Sequence, residues 1–453
     1  VTTPPDRPRD GGRREVAPSP NAPSQNAASP NALPELPPVH ESLLPREHSL
    51  HRPRHATRQT GALVAAVVFF ALPLLALGVG VRPEEFENRR LAPFPSITQG
   101  WGFFTGLSPW ADDHLPLRAE AVRAVDGISR GLFGEPLPRN SHQRTGGPIQ
   151  DQRQGSQEQP PMPQVVEGKD GWLYLGDDVV SRCRPKQDLD ATTAALRDLR
   201  RGVEASGRQF VLLIAPDKST VVPEHLPEEF YGRDCALERT DQFWRRIGRD
   251  AGAVDLRAEL RQWGDRTGAP VYPRLDGHWS DEGALVMTRN LAEAVRPGTT
   301  TTWAYERTEP WTVAGDLPPL IGRSGQISGD HYALKPDGTT NTVRDVPFDF
   351  ATPLPLASPA TPGTVDRSVG MLGDSFSIRA VPYLNAAFQD LTLLHYGKVD
   401  QDGGRQAGRV LADHEVVAVE IVERTLQSGN CILLQPEVVR GITAELAARP
   451  LPR

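Results

Sequence analysis

The stretch Gly370-Met371-Leu372-Gly373-Asp374-Ser375-Phe376-Ser377 decides how this chain is read. An apolar run from Val369 to Leu372 leads into a glycine, an aspartate and then two serines. Such a run is a buried strand that ends in a sharp turn, with Ser375 at the turn and a helix start behind it. That geometry lifts a hydroxyl out of the sheet edge and aims backbone N–H groups at whatever sits there. Gly-Asp-Ser also serves a plain turn after a strand, because those residue types suit turns. The hydroxyl acquires chemistry only if another part of the chain supplies a base.

Working outward, further apolar runs read as strands: Phe210 to Ala215, Ala253 to Leu256, Leu391 to His395, Val416 to Val422 and Cys431 to Leu434. Helical spacing of apolar residues marks Leu189 to Val203, Glu238 to Ile247 and Arg257 to Trp263. Strands separated by helices predict a three-layer α/β domain with a mainly parallel sheet. Reactive groups in such sheets gather at the carboxyl ends of the strands, where Ser375 falls. Gly168-Lys-Asp-Gly-Trp-Leu-Tyr-Leu175 reads as a hairpin. Residues 307–366 are proline-rich and weakly periodic, and read as an extended insertion over one face.

A base is available in Leu275-Asp276-Gly277-His278-Trp279-Ser280-Asp281-Glu282-Gly283-Ala284. Ser280 suits a helix N-cap, Asp281 and Glu282 suit the first turn, and the helix continues to Val295. Asp276 and His278 therefore precede a helix start, spaced by two along an extended segment, which puts both side chains on one face. Asp-x-His alone is also compatible with metal ligation or with a satisfied loop histidine. With a serine at a strand-to-helix turn the pair becomes a triad candidate: Ser375 as nucleophile, His278 as base, Asp276 as the group that holds its tautomer. The Ser375 amide and a second donor would form the oxyanion site, with Arg379, Asn385 and Tyr396 as candidates. Lys218 follows a strand end and either touches the site or is a solvated loop lysine. Trp172 and Trp279 either stack on sugar rings or pack in the core. Glu420 and Glu423 read as partners of Arg424 or as helix caps. No metal ion or cofactor is expected.

At 453 residues the chain holds one large domain or two ordinary ones plus tails. A hydrophobic content of 38% with 44 prolines indicates a folded core diluted by loop-rich or disordered sequence. A net charge of −7 and a pI of about 5.9 do not support nucleic-acid binding. Three cysteines do not make a disulfide scaffold, although Cys183 and Cys235 could pair in an exported chain, leaving Cys431 as a buried thiol. Residues 1–60 read as a disordered cytoplasmic tail. Residues 61–81 carry no charge and match the thickness of a bilayer, so they read as a single transmembrane helix. Arginines are in slight excess before that helix, which predicts the tail inside and everything after Val81 outside. Residues 82–134 follow as a stalk and helical lead-in, 135–165 as a flexible linker or loop, and 166–453 as the catalytic domain.

The motifs G-D-S-F-S, D-G-H-W-S-D-E-G-A and G-K-D-G-W-L-Y-L resemble those of the alginate O-acetyltransferase family, SGNH-hydrolase-like proteins that acetylate exopolysaccharides outside the cytoplasm. Glu87 to Leu91, Asp113 to Arg118, Ala215 to Pro227 and Val419 to Arg424 are similar to the same family, so the resemblance spans roughly residues 86–430. It implies an SGNH-hydrolase-like fold with Ser375, His278 and Asp276 in the triad roles. It also implies the order Asp-His before Ser, the reverse of ordinary SGNH esterases. Gly277 departs from the family's usual threonine, and the carbohydrate-binding module of some members has no expected counterpart here.

Three functions follow. The first is a membrane-anchored O-acetyltransferase that moves an acetyl group through a Ser375 acyl-enzyme onto a polysaccharide hydroxyl. Its partners would be membrane lipid at 61–81, the polysaccharide acceptor, and a multi-spanning membrane O-acyltransferase that passes the acetyl group outward. The second is a glycan O-acetylesterase with the same first step and water as acceptor. The third is a non-catalytic glycan-binding assembly protein that kept the fold.

Overall fold

The computed structural model describes residues 163–452 apart from 231, 269 and 348–351, together with single residues and short pieces between 61 and 110. The expected tail over 1–60 lies outside the described residues, as do 82–93 and 111–162. Within the expected transmembrane stretch, residues 61–64 and 66–68 are helical and exposed, and the rest of it is mostly outside the described residues. Among the described residues no helix is long and apolar enough to cross a membrane.

The central element is a six-stranded sheet. In chain order its strands are β3 (Gln209–Ala215), β4 (Ala253–Asp255), β7 (Leu354–Leu356), β8 (Val369–Gly373), β9 (Leu391–His395) and β10 (Val416–Val422), after a separate hairpin of β1 (Val165–Glu167) and β2 (Leu173–Leu175). The spatial order is β4-β3-β10-β8-β9-β7. All neighbours are parallel except β7, which runs antiparallel to β9 at the edge. β10 lies at the centre, and all seven of its residues are buried.

Alternation along these strands divides the core into two layers. Val211 and Leu213 of β3, with Val416 and Ala418 of β10, face a cluster that includes helices α3 (Arg257–Thr267), α4 (Asp281–Val295) and α5 (Val381–Ala387). Leu212 and Ile214, with Val417, Val419 and Ile421, face the opposite cluster. There the covering helices are α1 (Leu189–Ala205), α2 (Arg233–Ala251), α6 (Arg405–Leu411) and α7 (Pro436–Ala448). A parallel sheet buried on both faces explains why the strands read as continuous apolar runs. Cys183 and Cys235 form a disulfide that ties the turn Ser181–Cys183 to α2.

Two expectations need correction. Cys431 to Leu434 is not a strand: Ile432–Leu434 is a 3-10 turn leading into α7, and it fills the layer beneath the sheet. A short buried apolar run looks the same in either role. The span 307–366 is not merely an extended insertion, because it carries most of an antiparallel hairpin, β5 (Ala304–Ala314) with β6 (Gln326–Lys335). Most of β5 is exposed, so it lacks the apolar alternation that marks a strand, and Pro310 sits beside a register shift where the ladder is broken.

Candidate active site

The carboxyl ends of the three central strands meet at one edge: β8 at Gly373, β10 at Val422 and β3 at Ala215. Ser375 begins a 3-10 segment, Ser375–Ala380, that runs into α5. Gly373 is required there, since a Cβ at that position would lie 2.3 Å from Ser377 Oγ. Asp374 shapes the turn. Its Oδ1 accepts from the Phe376 amide at 2.9 Å, and its Oδ2 accepts from the Val422 amide and from Tyr396 Oη, both at 2.9 Å. Beneath it, Glu420 of β10 accepts from Ser377 Oγ at 2.7 Å and from the Asp374 amide at 3.2 Å. Burial, and next the Asp374 charge, push the Glu420 carboxyl well above its ordinary range.

His278 faces this turn from the loop before α4. Its Nε2 lies 2.9 Å from Ser375 Oγ, and its Nδ1 lies 3.1 Å from Asp276 Oδ1. The same Asp276 oxygen accepts from the His278 backbone amide at 2.8 Å, closing a tight Asp-x-His turn. Trp279 clamps the two loops together: its indole donates to the Phe376 carbonyl at 3.0 Å, and its ring meets Phe376 edge-on at 5.0 Å. His278 leans on that Phe376 ring at 4.9 Å and remains about 30% exposed.

The loop is held from below by Lys218, which is buried at the end of β3. Its Nζ donates to the carbonyls of Leu173, Pro273, Arg274 and Asp276 at 2.7–3.0 Å. Burial pulls this amine down to about 7, while Asp276 and its neighbouring carboxylates act to keep the proton on. Leu173 belongs to β2, so the hairpin of β1 and β2 joins the same support, and the Leu173 amide donates to Arg274 O at 3.0 Å. Under the floor lies a largely buried ionic cluster. Arg424 donates to Asp178 at 3.2 Å and to Asp217 at 3.1 Å, and Arg182 donates to Asp217 at 2.8 Å. Burial raises Asp178 to about 6 and both Asp217 and Glu423 to about 7.

Ser375, His278 and Asp276, separated by about a hundred residues, are thus brought into one hydrogen-bonded chain. The other residues singled out above fall elsewhere. Tyr396 is buried and its O–H donates a hydrogen bond to Asp374, so it is not available to an oxyanion. Asn385 accepts from the Ala357 amide, just beyond β7. Arg379 sits on the rim, 4.0 Å over the Trp311 ring of β5, and donates to Asp281 at 3.3 Å. Lys218 is neither solvated nor directed at the serine. Trp279 is 1% exposed and Trp172 stacks on His225 at 4.2 Å, so both have core roles and neither presents a face to a sugar. Glu420 and Glu423 are not the carboxylates that hold Arg424; Asp178 and Asp217 are.

One residue of the site carried no signal of its own in the sequence. Asp316, between β5 and the turn Pro318–Ile321, places Oδ2 at 3.0 Å from His278 Nδ1. Its other oxygen accepts from the Gly277 amide at 2.8 Å. Asp276, His278 and Asp316 offer donor atoms within 4.8 Å of one another, a spacing that a metal ion could also use. Here the two carboxylates converge on the imidazole N–H, with Nε2 turned to the serine, which is the arrangement of a positioned histidine.

A serine, a histidine and an aspartate at the carboxyl edge of a mainly parallel sheet are the arrangement of an α/β hydrolase-like domain. The chain belongs to the family described as SGNH hydrolase-like domain, acetyltransferase AlgX, whose model matches residues 165–393, about half of the chain. Among curated relatives, the probable alginate O-acetylase AlgJ of Pseudomonas aeruginosa is 34% identical over 221 residues, 47% of this chain and 52% of that protein. The protein of the same name from Pseudomonas fluorescens is 33% identical over 134 residues, 29% of this chain and 34% of its own. The chain therefore spans between about a third and about half the length of the curated relatives it matches. Among solved structures, the O-acetyltransferase domain of Pseudomonas putida AlgJ is 22% identical with a TM-score of 0.42, covering 62% of this chain and 99% of that one. Pseudomonas aeruginosa AlgX is 17% identical with a TM-score of 0.42, covering 63% and 66%.

Proposed function

We propose that this chain is an O-acetyltransferase that carries an acetyl group on Ser375 and delivers it to a polysaccharide hydroxyl. The observation that carries the reading is the 2.9 Å approach of His278 Nε2 to Ser375 Oγ, with Nδ1 held by Asp276. His278 Nε2 takes the Ser375 proton as Oγ attacks the acetyl carbonyl, and returns that proton to the donor's leaving group. A sugar hydroxyl then gives its proton to Nε2 and attacks the acyl-serine, and Ser375 recovers a proton as the ester leaves. The Ser375 amide at the head of the 3-10 segment serves as one oxyanion donor. Arg379, stacked on Trp311 and about 25% exposed, is the rim cation that would meet the acceptor.

Relatives named as alginate O-acetylases make alginate the first acceptor to test. The reading includes an anchor over residues 61–81 with the catalytic domain on the extracytoplasmic side, fed with acetyl groups by a multi-spanning membrane O-acyltransferase. The exposed Leu63, Val64, Val67 and Val68 support the anchor, and the Cys183–Cys235 disulfide supports an oxidising compartment.

The test is to incubate the chain with 4-nitrophenyl acetate, with and without oligomeric alginate, and to follow the sugar by mass spectrometry. Acetate on the oligosaccharide, lost in Ser375→Ala, is the expected result. Acetate released at a rate that the sugar does not alter would indicate an esterase, and turnover unchanged in Ser375→Ala would overturn both.

A further inference from the structure

We propose that Asp316 is a second carboxylate partner of His278, a positioning residue that shares the imidazole Nδ1–H with Asp276 and sets the pH at which His278 can take the Ser375 proton. The inference rests on the acetyl-transfer reading of Ser375 and His278 and deepens it.

Its basis is geometric. A single N–H at Nδ1 faces two carboxylate oxygens, Asp316 Oδ2 at 3.0 Å and Asp276 Oδ1 at 3.1 Å. The two aspartates reach it by different routes. Asp276 belongs to the loop itself and spends the same oxygen on the His278 amide. Asp316 arrives from the base of the hairpin of β5 and β6 and uses its second oxygen on the Gly277 amide at 2.8 Å, so it grips both residues of the Gly277-His278 step.

The hairpin base is docked to bring it there. The Leu317 amide donates to Leu275 O at 3.2 Å, and the Gly315 amide donates to Gly325 O at 3.0 Å. A Cβ on Gly315 would lie 2.6 Å from Leu275 O, so only glycine permits this approach. On the other side, a Cβ on Gly277 would lie 3.5 Å from Asp316 Oδ2, at ordinary contact distance, so a side chain fits there and a hydroxyl on it would reach that carboxylate.

The charges around His278 come from several elements. Asp276 faces it from its own loop and Asp316 from the hairpin base. Arg379, on the segment after Ser375, acts on Asp276, and Lys218 lies beneath with its Nζ on Asp276 O. Asp281, at the start of α4, is engaged by Arg379, Trp311, Tyr383 and His331. Arg424 lies 5.3 Å over the Phe376 ring on which His278 leans. Burial lowers the His278 pKa, but hydrogen bonds and charge from Asp276 and Asp316 outweigh it and carry the group up to about 10. The two carboxylates thus favour the imidazolium form, which holds a proton on Nε2 facing Ser375 Oγ until pH rises. An ordinary triad has one such carboxylate. The second delays the release of a base until higher pH, and also stabilises the imidazolium once the serine proton has been taken.

The experiment is an imidazole titration by NMR on the full chain labelled with 15N-histidine, His278 being assigned among the eleven histidines by its loss in His278→Gln. Asp316→Asn is expected to lower the His278 midpoint by about one to three pH units, the range for one nearby opposite charge. The acid limb of Ser375 acylation by 4-nitrophenyl acetate should move down with it, and Asp316→Glu should hold both near the parent values. Gly277→Ser keeps both aspartates but offers Asp316 Oδ2 a competing hydroxyl, so it should shift the midpoint in the same direction even if Asp316→Asn fails to fold. A midpoint unmoved in both variants overturns the inference. A chain that shows no Ser375-dependent acylation overturns the acetyl-transfer reading, and the NMR midpoint then decides the role of Asp316 alone.

Discussion

Two carboxylate-rich regions lie one above the other at the sheet edge, and they differ in what they do. The lower holds Asp178, Asp217, Glu420 and Glu423 with Arg182, all buried, and Arg424, whose side chain is partly exposed. The upper holds Asp276 and Asp316 with His278, whose side chains are 12%, 33% and 30% exposed. The lower region is locked. Its carboxylates are fixed by arginines, amides and hydroxyls, and burial raises several of them toward the neutral form. The upper region opens to solvent, and its cation is a histidine that can lose its proton. The same residue types build a locked scaffold where they are buried, and leave a titratable histidine where the edge is open to solvent.

The comparison breaks most sharply at Ser375. Ser375→Ala removes the atom that the upper region serves and nothing that the lower region holds. Acetyl transfer should fall by about four orders of magnitude or more, the scale of removing a nucleophile. The urea midpoint should stay unchanged, because Ser375 is a half-buried turn residue while Asp374 and Ser377 carry the turn's bonds to the floor. A large loss of stability would show that the two regions are one unit.

Arg424→Met inverts that pattern. It leaves Asp178 and Asp217 buried with one cation fewer, which costs about 3–5 kcal/mol when a buried pair loses one partner. Equilibrium urea denaturation reads it directly. Activity per folded molecule should change far less than stability, unless the guanidinium over Phe376 also sets the His278 ring.

Much of the upper region was legible in the sequence, and the reason is local. Ser375 follows a strand buried on both faces, and Asp276 and His278 precede a helix with acidic residues in its first turn, so each half of the pair announces its own backbone setting. Asp316 was not legible, because it follows a hairpin strand that is largely exposed and its partner lies 38 residues back, counting from His278. Lys218 read as a loop lysine because its burial depends on carbonyls from β2 and from the loop over Pro273 to Asp276, which no neighbouring residue reveals. Ser280 stands at the N-cap as its residue type suggests, yet its hydroxyl is 3.1 Å from Val271 O and also bonds Glu282, and does not cap the helix. The fold's layers are written in periodicity; the supports that fix the reacting side chains are long-range.

Lys218→Met sharpens the boundary between the regions, since Lys218 bridges them. Four carbonyls lose this donor; those of Pro273 and Arg274 keep a backbone amide, so the cost falls mainly on Leu173 and Asp276, at about 1–3 kcal/mol for a buried acceptor left unmade. The larger proportional effect should be on transfer, a fall of roughly tenfold to a hundredfold, since misplacement of catalytic groups by about 1 Å carries that scale of cost. Parallel measurement of kcat and the urea midpoint checks it, and an unchanged kcat would confine Lys218 to the scaffold.

The last test separates the regions by pH. Folding raises the His278 pKa from an ordinary 6.5 to about 10, so the folded chain binds this proton more tightly than the unfolded one. The stabilisation from this group is therefore complete below about pH 6.5 and is lost as pH rises through about 10. In the lower region Asp217 and Glu423, raised to about 7, have the same sign but a different window: their contribution fades from the ordinary carboxylate range up to about pH 7. Above pH 7 the slope has two opposed parts: His278, whose stabilisation fades, and Lys218, pulled down to about 7, whose burial becomes less costly as pH rises. Comparing the chain with His278→Gln by urea denaturation at pH 7, 8.5 and 10.5 isolates the His278 part, because glutamine keeps a polar side chain without the titration. The stability difference between the two should narrow as pH rises across this window. A difference that stays constant would show that the two carboxylates at Nδ1 do not hold the imidazolium in solution.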